Sequence, residues 1–337
     1  MKKQKIKWLV ILLAMPVLVG SMVGCNHTSN VSSDSSTTDT TTGTATTDVN
    51  DLMSTTTSST AAVETTDNNT STTTIIKISA TDTTTSVASA ATSSEVGASP
   101  ITSDNIHYFA YCNANLISKK PCGIVLDFHG LGETGMFYTP SELGQLCASK
   151  GILYIQPYDN PWSWMNDLAV RYTDEIVDAV IDKYDLPENV PIVTAGGSMG
   201  GLSCLIYTRY AKRTPVACAA NCPVTDLPYH YTERPDLPRT IYQAFMHYPG
   251  DLNRAIESAS PYHQAANFPK DTTYLIVAGD ADTAVNKAMH SDRFVPALKK
   301  TCDKVTYMEV PGMGHCTLPD EEKKNYFAFI TSEQWFS

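Results

Sequence analysis

The sequence predicts an α/β fold for residues 101–337, in which a mostly parallel β-sheet is flanked by helices. Short apolar runs alternate there with longer amphipathic segments, which is the pattern of a parallel sheet covered by helices. Glycine-bearing turns follow several of the runs, as at Gly130, Gly196 and Gly279. The region is also long enough and apolar enough to bury one sizeable core. We therefore expect a single α/β domain.

The apolar runs are the predicted strands, and the amphipathic segments between them are the predicted helices. The 227–270 segment breaks the alternation, is rich in Tyr, Pro and His, and is predicted to be a small cap-like insertion over the C-terminal edge of the sheet. The predicted strands are 106–112, 123–128, 152–156, 191–195, 216–220, 273–278 and 305–310. The predicted helices are 141–149, 167–184, 199–211, 282–300 and 320–332.

The first 24 residues have the pattern of a secretory signal. A lysine-rich start precedes an apolar run, and small Gly24 directly precedes Cys25. This ending resembles the bacterial lipobox, which implies cleavage before Cys25 and a lipid on its sulfur. The alternative is an uncleaved membrane anchor. In both cases we expect an exported protein held at the extracellular face of a bacterial membrane.

Residues 25–100 have the composition of a disordered tether. They are dominated by Ser and Thr and contain few aromatic or large aliphatic side chains. Such a segment cannot bury enough apolar surface to offset the entropy lost on ordering. The expected organisation is a signal peptide at 1–24, a tether at 25–100 and a folded α/β domain at 101–337.

Charge and cysteine usage exclude some classes of partner. The net charge is -11, and no Lys/Arg cluster occurs outside the signal, so nucleic acid is not an expected partner. The nine cysteines form no CxxC pair, and no histidine cluster has metal-ligand spacing, so we expect no metal and no other cofactor. In an exported protein, Cys112 with Cys122 and Cys302 with Cys316 are candidate disulfides.

Ser198 lies in the most specific motif of the chain. Gly196-Gly197-Ser198-Met199-Gly200 is a G-x-S-x-G sequence between a predicted strand and a predicted helix. Glycines two positions on either side allow the tight turn that raises a serine hydroxyl above a sheet, and the helix N-terminus stabilises developing negative charge. A plain glycine-rich turn is the alternative. A phosphate-binding loop is disfavoured because no Lys-Ser/Thr pair follows the glycines.

An apolar strand that runs into His129-Gly130 precedes this motif by about 70 residues in the chain. With these two motifs, the sequence resembles the α/β-hydrolase superfamily over residues 101–337, in its prolyl-oligopeptidase-like and acetyl-esterase-like branches. The resemblance implies an oxyanion hole formed by the backbone N–H groups of Leu131 and Met199. His129 is expected to hold the loop by hydrogen bonds rather than to act in catalysis.

The resemblance also implies an acid and a base. Gly279-Asp280-Ala281-Asp282 follows a predicted strand and is similar to the acid loop of the superfamily, which places the orienting carboxylate at Asp282. Asp280 is the near alternative, with a role in capping the turn, and Asp226 is a more remote one. His315 follows the last predicted strand, where the superfamily has its base. The order Ser198, Asp282, His315 is the order of this fold.

The substrate class is less well determined by the sequence. Trp162, Trp164, Tyr229 and Tyr231 are candidate pocket residues, although packing is an equally ordinary role for them. A hydrolase tethered to the cell envelope is expected to cleave carboxylic esters on small molecules or polysaccharides, with acetyl and feruloyl esters as candidates.

Two other functions remain open at this point. One is a serine peptidase that resembles the catalytic domain of prolyl oligopeptidases. Those enzymes usually carry a propeller before the hydrolase domain, whereas a low-complexity segment stands there in this chain. The other is a catalytically inactive surface binding module, against which the three intact triad positions argue.

Overall fold

The computed structural model describes residues 101–133 and 140–337. The predicted signal peptide, Cys25 and the predicted tether lie outside the described residues, and their assignments stay predictions. Among the described residues, no helix combines the length and the hydropathy that a membrane span requires.

The described residues form a seven-stranded sheet with the strand order β1-β3-β2-β4-β5-β6-β7. β1 is antiparallel to β3, and every other neighbouring pair is parallel. The predicted α/β fold class is confirmed. The strands are β1 (Ala110–Cys112), β2 (Gly123–Phe128), β3 (Ile152–Pro157), β4 (Ile192–Gly197), β5 (Ala217–Asn221), β6 (Thr273–Gly279) and β7 (Val305–Val310).

Helices cover both faces of the sheet because the strand side chains alternate between two apolar layers. In β2, Ile124 and Leu126 join the layer under α2 and α3, and Val125 joins the layer under α1 and α9. The helices are α1 (Glu142–Ser149), α2 (Asp167–Lys183), α3 (Met199–Tyr210), α4 (Leu227–Glu233), α5 (Leu237–Phe245), α6 (Leu252–Ser258), α7 (Pro261–Gln264), α8 (Ser291–Leu298), α9 (Asp320–Ile330) and α10 (Glu333–Phe336).

The strand order places a crevice between the ends of β2 and β4. From β2 the chain crosses to β3 on one side, and then to β4 on the other side of β2. Such a reversal leaves an opening at the carboxyl ends of the strands, where open α/β sheets bind their ligands. The loop after β2 and the turn after β4 both lie at this opening.

Two predicted elements are shorter than expected. The predicted strand 106–112 is a 3-10 turn at Ile106–Tyr108 followed by the short β1, because the Asn105 side chain accepts the Thr102 N–H and starts a turn. The predicted helix 282–300 begins only at Ser291, since the residues before it form a loop around Asp282. The 227–270 segment is helical and contains α4 to α7 together with a 3-10 turn at Ala265–Asn267.

Candidate active site

Ser198 sits on a strained turn between β4 and α3. Its backbone φ is 59°, a left-handed value that L residues rarely adopt, and its N–H donates to the carbonyl of Asn221 at 3.0 Å. A Cβ at Gly196 would lie 2.3 Å from the carbonyl oxygen of Gly200, and one at Gly200 would lie 2.0 Å from the carbonyl oxygen of Phe128. The two glycines are therefore required by the close approach of backbones around the serine.

His315 and Asp282 are joined by a hydrogen bond. The loop after β7 carries His315, whose Nδ1 lies 2.8 Å from Oδ2 of Asp282 in the loop after β6. Oδ1 of Asp282 accepts the N–H groups of Ala284 and Val285 at 2.8 and 3.0 Å. Both carboxylate oxygens are thus engaged, so in the neutral imidazole the proton stays on Nδ1 and the lone pair is on Nε2.

The pKa values of the pair follow from these contacts. Burial alone would raise the pKa of Asp282, but the hydrogen bonds from His315, Val285 and Ala284 outweigh it and hold the pKa below its ordinary value. The hydrogen bond to Asp282, followed by contact with Cys222, raises the pKa of His315 to about 9. The imidazole at this site is therefore an unusually strong base.

The two alternative carboxylates have other partners. Asp280 accepts the Gly312 N–H at 2.6 Å and so holds the start of the loop that carries His315. Asp226 caps α4 and pairs with Arg293 at 2.6 Å. Neither of them contacts His315, and Asp282 is the carboxylate that orients the imidazole.

The backbone N–H groups of Leu131 and Met199 have no hydrogen-bond partner within the described part of the chain, whereas both neighbours of Leu131 do. Gly130 N–H donates to the Glu133 carboxylate at 3.2 Å, and Gly132 N–H donates to a carbonyl at 2.9 Å. Leu131 lines the same pocket as Ser198. These two free donors are available for a substrate oxygen.

His129 is a buried support of the loop after β2. Its Nδ1–H donates to the Gly130 carbonyl at 2.9 Å, and its Nε2–H donates to the carboxylate of Asp159, which also accepts the Ser163 hydroxyl. Burial would lower the pKa of His129, but the hydrogen bond and the charge of Asp159 outweigh it and raise the pKa. Because its two acceptors take both ring protons, His129 holds the loop as a cation and has no lone pair for catalysis.

One pocket, of about 560 Å³, contains both Ser198 and His315. Of the four predicted aromatic pocket residues, it includes Trp164 alone. Trp162 and Tyr231 pack partly buried against the core, and Tyr229 lines a separate groove with Asp282 and packs on His290, so these three residues are not in the lining of this pocket. The remaining described lining includes Glu133, Tyr154, Gln156, His230, Arg234, Ala284 and Val285.

His230 is a pocket residue that the sequence did not reveal. Its Nδ1 donates to Glu233 at 2.6 Å, and Glu233 also accepts from His290 Nε2 at 3.0 Å and from the Asn286 N–H at 2.8 Å. These donors outweigh burial and lower the pKa of Glu233, while burial lowers the pKa of His230. Glu233 thus ties α4 to the loop that follows Asp282. The i,i+3 spacing of His230 and Glu233 was visible in sequence, but their third partner was not.

Two cysteines also contact the base. Cys316 Sγ lies 3.9 Å from His315 Nε2, and Cys316 N–H donates to Cys222 Sγ at 3.4 Å. The candidate disulfides are absent from the described residues, where all cysteines are free. Cys302 instead lies against the Pro269 carbonyl at 3.5 Å, far from the partner proposed for it, and the Cys112 thiol contacts a tyrosine hydroxyl at 3.6 Å.

Ser198 and His315 line the same pocket, and no hydrogen bond joins them among the described residues. The described contact of His315 Nε2 is with Cys316 Sγ at 3.9 Å. Hydrogen bonds of this kind are commonly long before substrate binds and shorten in the productive complex. The geometry therefore supplies a nucleophile, a base with an orienting carboxylate and two free N–H donors at one opening.

Comparison with known proteins supports this view of the fold. The sequence pattern of the prolyl oligopeptidase family matches residues 172–336. No curated protein matches the chain. Among solved structures, a fluorophosphonate-binding serine hydrolase of Staphylococcus aureus is similar with a TM-score of 0.51 and 14% identity, over 64% of this chain and 86% of that chain.

Two larger proteins share the same fold. A puromycin hydrolase matches with a TM-score of 0.50 and 16% identity over 64% of this chain, which spans 33% of the hydrolase. A prolyl endopeptidase matches with a TM-score of 0.50 and 16% identity over 65% of this chain, which spans 35% of the endopeptidase. At these identities the likeness shows the fold. The sheet order, the strained serine turn and the match over residues 172–336 together support a serine hydrolase with the α/β-hydrolase fold, of the prolyl-oligopeptidase-like type.

Proposed function

We propose that the chain cleaves carboxylic esters through an acyl-enzyme formed on Ser198. The observation that carries this proposal is the Asp282–His315 hydrogen bond of 2.8 Å at a pocket that also holds a serine on a strained turn. A serine hydroxyl is a weak nucleophile near neutral pH, and a correctly positioned imidazole activates it by accepting its proton.

The reaction follows from the geometry. Nε2 of His315 takes the Ser198 proton as the oxygen attacks the acyl carbon, and Asp282 stabilises the imidazolium that forms. The N–H groups of Leu131 and Met199 bind the developing oxyanion. His315 then protonates the leaving alcohol, and a water molecule, activated by the same imidazole, releases the acid.

An ester and a peptide are the two candidate substrates. The solved structures of similar fold include a fluorophosphonate-binding serine hydrolase and a prolyl endopeptidase. The family match names peptidases, so a serine peptidase is the second candidate. A catalytically inactive binding module is disfavoured because the nucleophile and the base line one pocket and the acid is hydrogen-bonded to the base.

The pocket lining favours a polar leaving group. Trp164 supplies one aromatic face, and Gln156, His230 and Arg234 supply hydrogen-bonding groups around it. His230 donates its Nδ1 proton to Glu233, and its lowered pKa favours the neutral ring, which leaves Nε2 as an acceptor for a hydroxyl. Hydroxylated substrates such as acetylated or feruloylated polysaccharides fit this chemistry.

The deciding experiment is a hydrolysis screen of the purified protein with p-nitrophenyl acetate, acetylated xylan and proline-containing peptides. We expect turnover of the esters and a fall in kcat by about 10⁴ or more in Ser198→Ala, with an unchanged circular dichroism spectrum. Cleavage of the peptides alone would favour the peptidase. Retention of most ester activity by Ser198→Ala would refute the assignment of the nucleophile.

The N-terminal sequence supports export and anchoring through Cys25. Metabolic labelling with an alkyne fatty acid in a bacterial host tests this proposal. We expect label on the wild-type chain in the membrane fraction and none on Cys25→Ser. Equal labelling of the two chains would contradict lipid attachment at this cysteine.

A further inference from the structure

Two thiols and one imidazole converge beside the serine. Sγ of Cys222, a ring nitrogen of His315 and Sγ of Cys316 all lie within 4.8 Å of one another. Cys222 follows β5, and the other two follow β7. Because Cys316 and Cys222 are 94 residues apart in the chain, no short metal-binding spacing was visible in sequence.

We propose that Cys222, His315 and Cys316 bind a zinc ion, and that the bound ion blocks hydrolysis by occupying Nε2 of His315. Two cysteines and one histidine with one open position form a known type of zinc site. The inhibitory part rests on the proposed role of His315 as base, whereas metal binding by itself does not.

The distances suit a tetrahedral ion. Zinc lies about 2.3 Å from thiolate sulfur and about 2.0 to 2.1 Å from imidazole nitrogen, which places tetrahedral ligands roughly 3.5 to 3.8 Å apart. His315 Nε2 and Cys316 Sγ are 3.9 Å apart, and the whole group lies within 4.8 Å. Shifts of about 1 Å or less bring the three atoms to ligand positions. The fourth position opens to the pocket, since His315 and Cys316 both line it.

The contacts around the cluster prepare it for a metal. Asp282 accepts a hydrogen bond from Nδ1–H of His315, so Nε2 is the ligand atom. A carboxylate in this position commonly supports a zinc-bound histidine. Cys222 and Cys316 adopt φ values of 44° and 56°, and such strained backbone is usually retained for a purpose.

Binding has a simple proton balance. Zinc binds thiolates and a neutral imidazole, so it must displace any proton on the sulfurs of Cys222 and Cys316 and any proton on Nε2 of His315. Two thiolate–zinc bonds and one imidazole–zinc bond form, and the displaced protons leave to solvent. No redox step is involved.

A second cluster in the pocket wall lacks this capacity. His230, Glu233 and His290 also lie within 4.8 Å of one another. However, Nδ1 of His290 accepts the N–H groups of Thr225 and Asp226 at 3.0 and 3.1 Å, so the ring proton must stay on Nε2, where it is donated to Glu233. With both nitrogens engaged, His290 has no lone pair for an ion.

Metal binding is tested without reference to activity in the full chain carrying Ser198→Ala, reduced with a phosphine, stripped with a chelator and desalted under argon. We expect Co²⁺ to produce a thiolate-to-cobalt charge-transfer band that saturates at one equivalent and is abolished by Zn²⁺. Adding Cys222→Ser or Cys316→Ser should weaken Co²⁺ binding by more than about 100-fold. Loss of a residue that only hydrogen-bonds to a metal ligand already costs about 10- to 100-fold in affinity.

Cys122→Ser is the matched control, because Cys122 is an exposed free thiol outside the cluster. It should leave the cobalt band and its affinity unchanged. The absence of the band, its persistence in both ligand variants, or its loss in Cys122→Ser would each overturn the metal site and leave the proposed hydrolase mechanism intact.

Inhibition is tested separately in the active chain by adding Zn²⁺ during ester hydrolysis. We expect activity to be lost over the zinc range that saturates the site, and the inhibition constant to rise more than about 100-fold in Cys222→Ser and Cys316→Ser, each compared with its own metal-free rate. If cobalt and zinc bind through these ligands while hydrolysis continues, zinc inhibition is wrong, and so is the role of His315 as base.

Discussion

The raised pKa of His315 predicts an alkaline pH profile. Only the neutral imidazole can accept the Ser198 proton, so kcat/KM must rise with pH as His315 loses its charge. With a pKa of about 9, roughly 1% of the enzyme has a neutral imidazole at pH 7 and about half has one at pH 9, so kcat/KM should rise roughly 50-fold between these values.

The contact with Cys222 gives a way to change this profile. After Asp282, the hydrogen bond with Cys222 is the largest contribution that raises the pKa of His315. Cys222→Ala should therefore shift the acid limb of the kcat/KM profile to lower pH, while the larger contribution of Asp282 keeps it above the ordinary value for histidine.

The assay is hydrolysis of a p-nitrophenyl ester from pH 5.5 to 10 with chelator present, corrected for the uncatalysed reaction and scaled to the plateau of each variant. Cys122→Ala, an exposed cysteine away from the site, is the control and should follow the wild-type curve. A wild-type acid limb near the ordinary pKa of histidine, or an unshifted curve in Cys222→Ala, would refute this reasoning.

Two further predictions concern the support of the site, and both are measured by urea unfolding. Gly200→Ala places a Cβ 2.0 Å from the Phe128 carbonyl oxygen, so it should lower the free energy of unfolding by about 1–3 kcal/mol or more. His129→Leu leaves the buried Asp159 carboxylate without its cation and should cost about 3–5 kcal/mol. An unchanged unfolding midpoint in either variant would contradict the packing described here.

Each of these variants has a control of the same type. Gly314→Ala adds a Cβ that approaches nothing described closer than 3.5 Å, so its effect should stay within about 0.5 kcal/mol. His247→Leu removes a histidine from a partly exposed pair with Asp167, whose side chains are 33% and 44% exposed, and should cost about 1 kcal/mol or less.

The parts of the fold that follow from local sequence were predictable. β4, the turn at Ser198 and α3 were expected from the glycine spacing and the flanking apolar runs, and their bounds agree with the structure to within about two residues. The loop positions of Asp282 and His315 followed in the same way, because a strand before each of them is marked by a continuous apolar run. These signals are local in the chain.

The pocket lining depends on contacts between distant segments, and there the sequence was less informative. Trp162 and Trp164 differ by two positions and look alike in sequence, yet of the two only Trp164 lines the pocket, and its backbone has a left-handed φ of 47°. Cys222 and Cys316 meet only because β5 and β7 flank β6 in the sheet. The periodicity of the sequence does not predict such a contact between distant segments.

The predicted helix at 282–300 failed for a related reason. Its residues have reasonable helix propensity, but the carboxylate of Asp282 accepts the N–H groups of Ala284 and Val285 and closes a turn instead. His290, assigned to the interior of that helix, is in fact the residue that precedes α8. The hydrogen bonds accepted by the Asp282 carboxylate thus outweigh the weak helix propensity of this segment.

The most direct measurement is fluorophosphonate labelling of the purified, metal-free chain, followed by peptide mass spectrometry. A fluorophosphonate reacts with a serine only when a neighbouring base activates it. We expect one adduct per chain, on the peptide that contains Ser198, and none in Ser198→Ala or His315→Ala. An adduct on any other residue, or a fully labelled His315→Ala variant, would contradict the proposed catalytic pair.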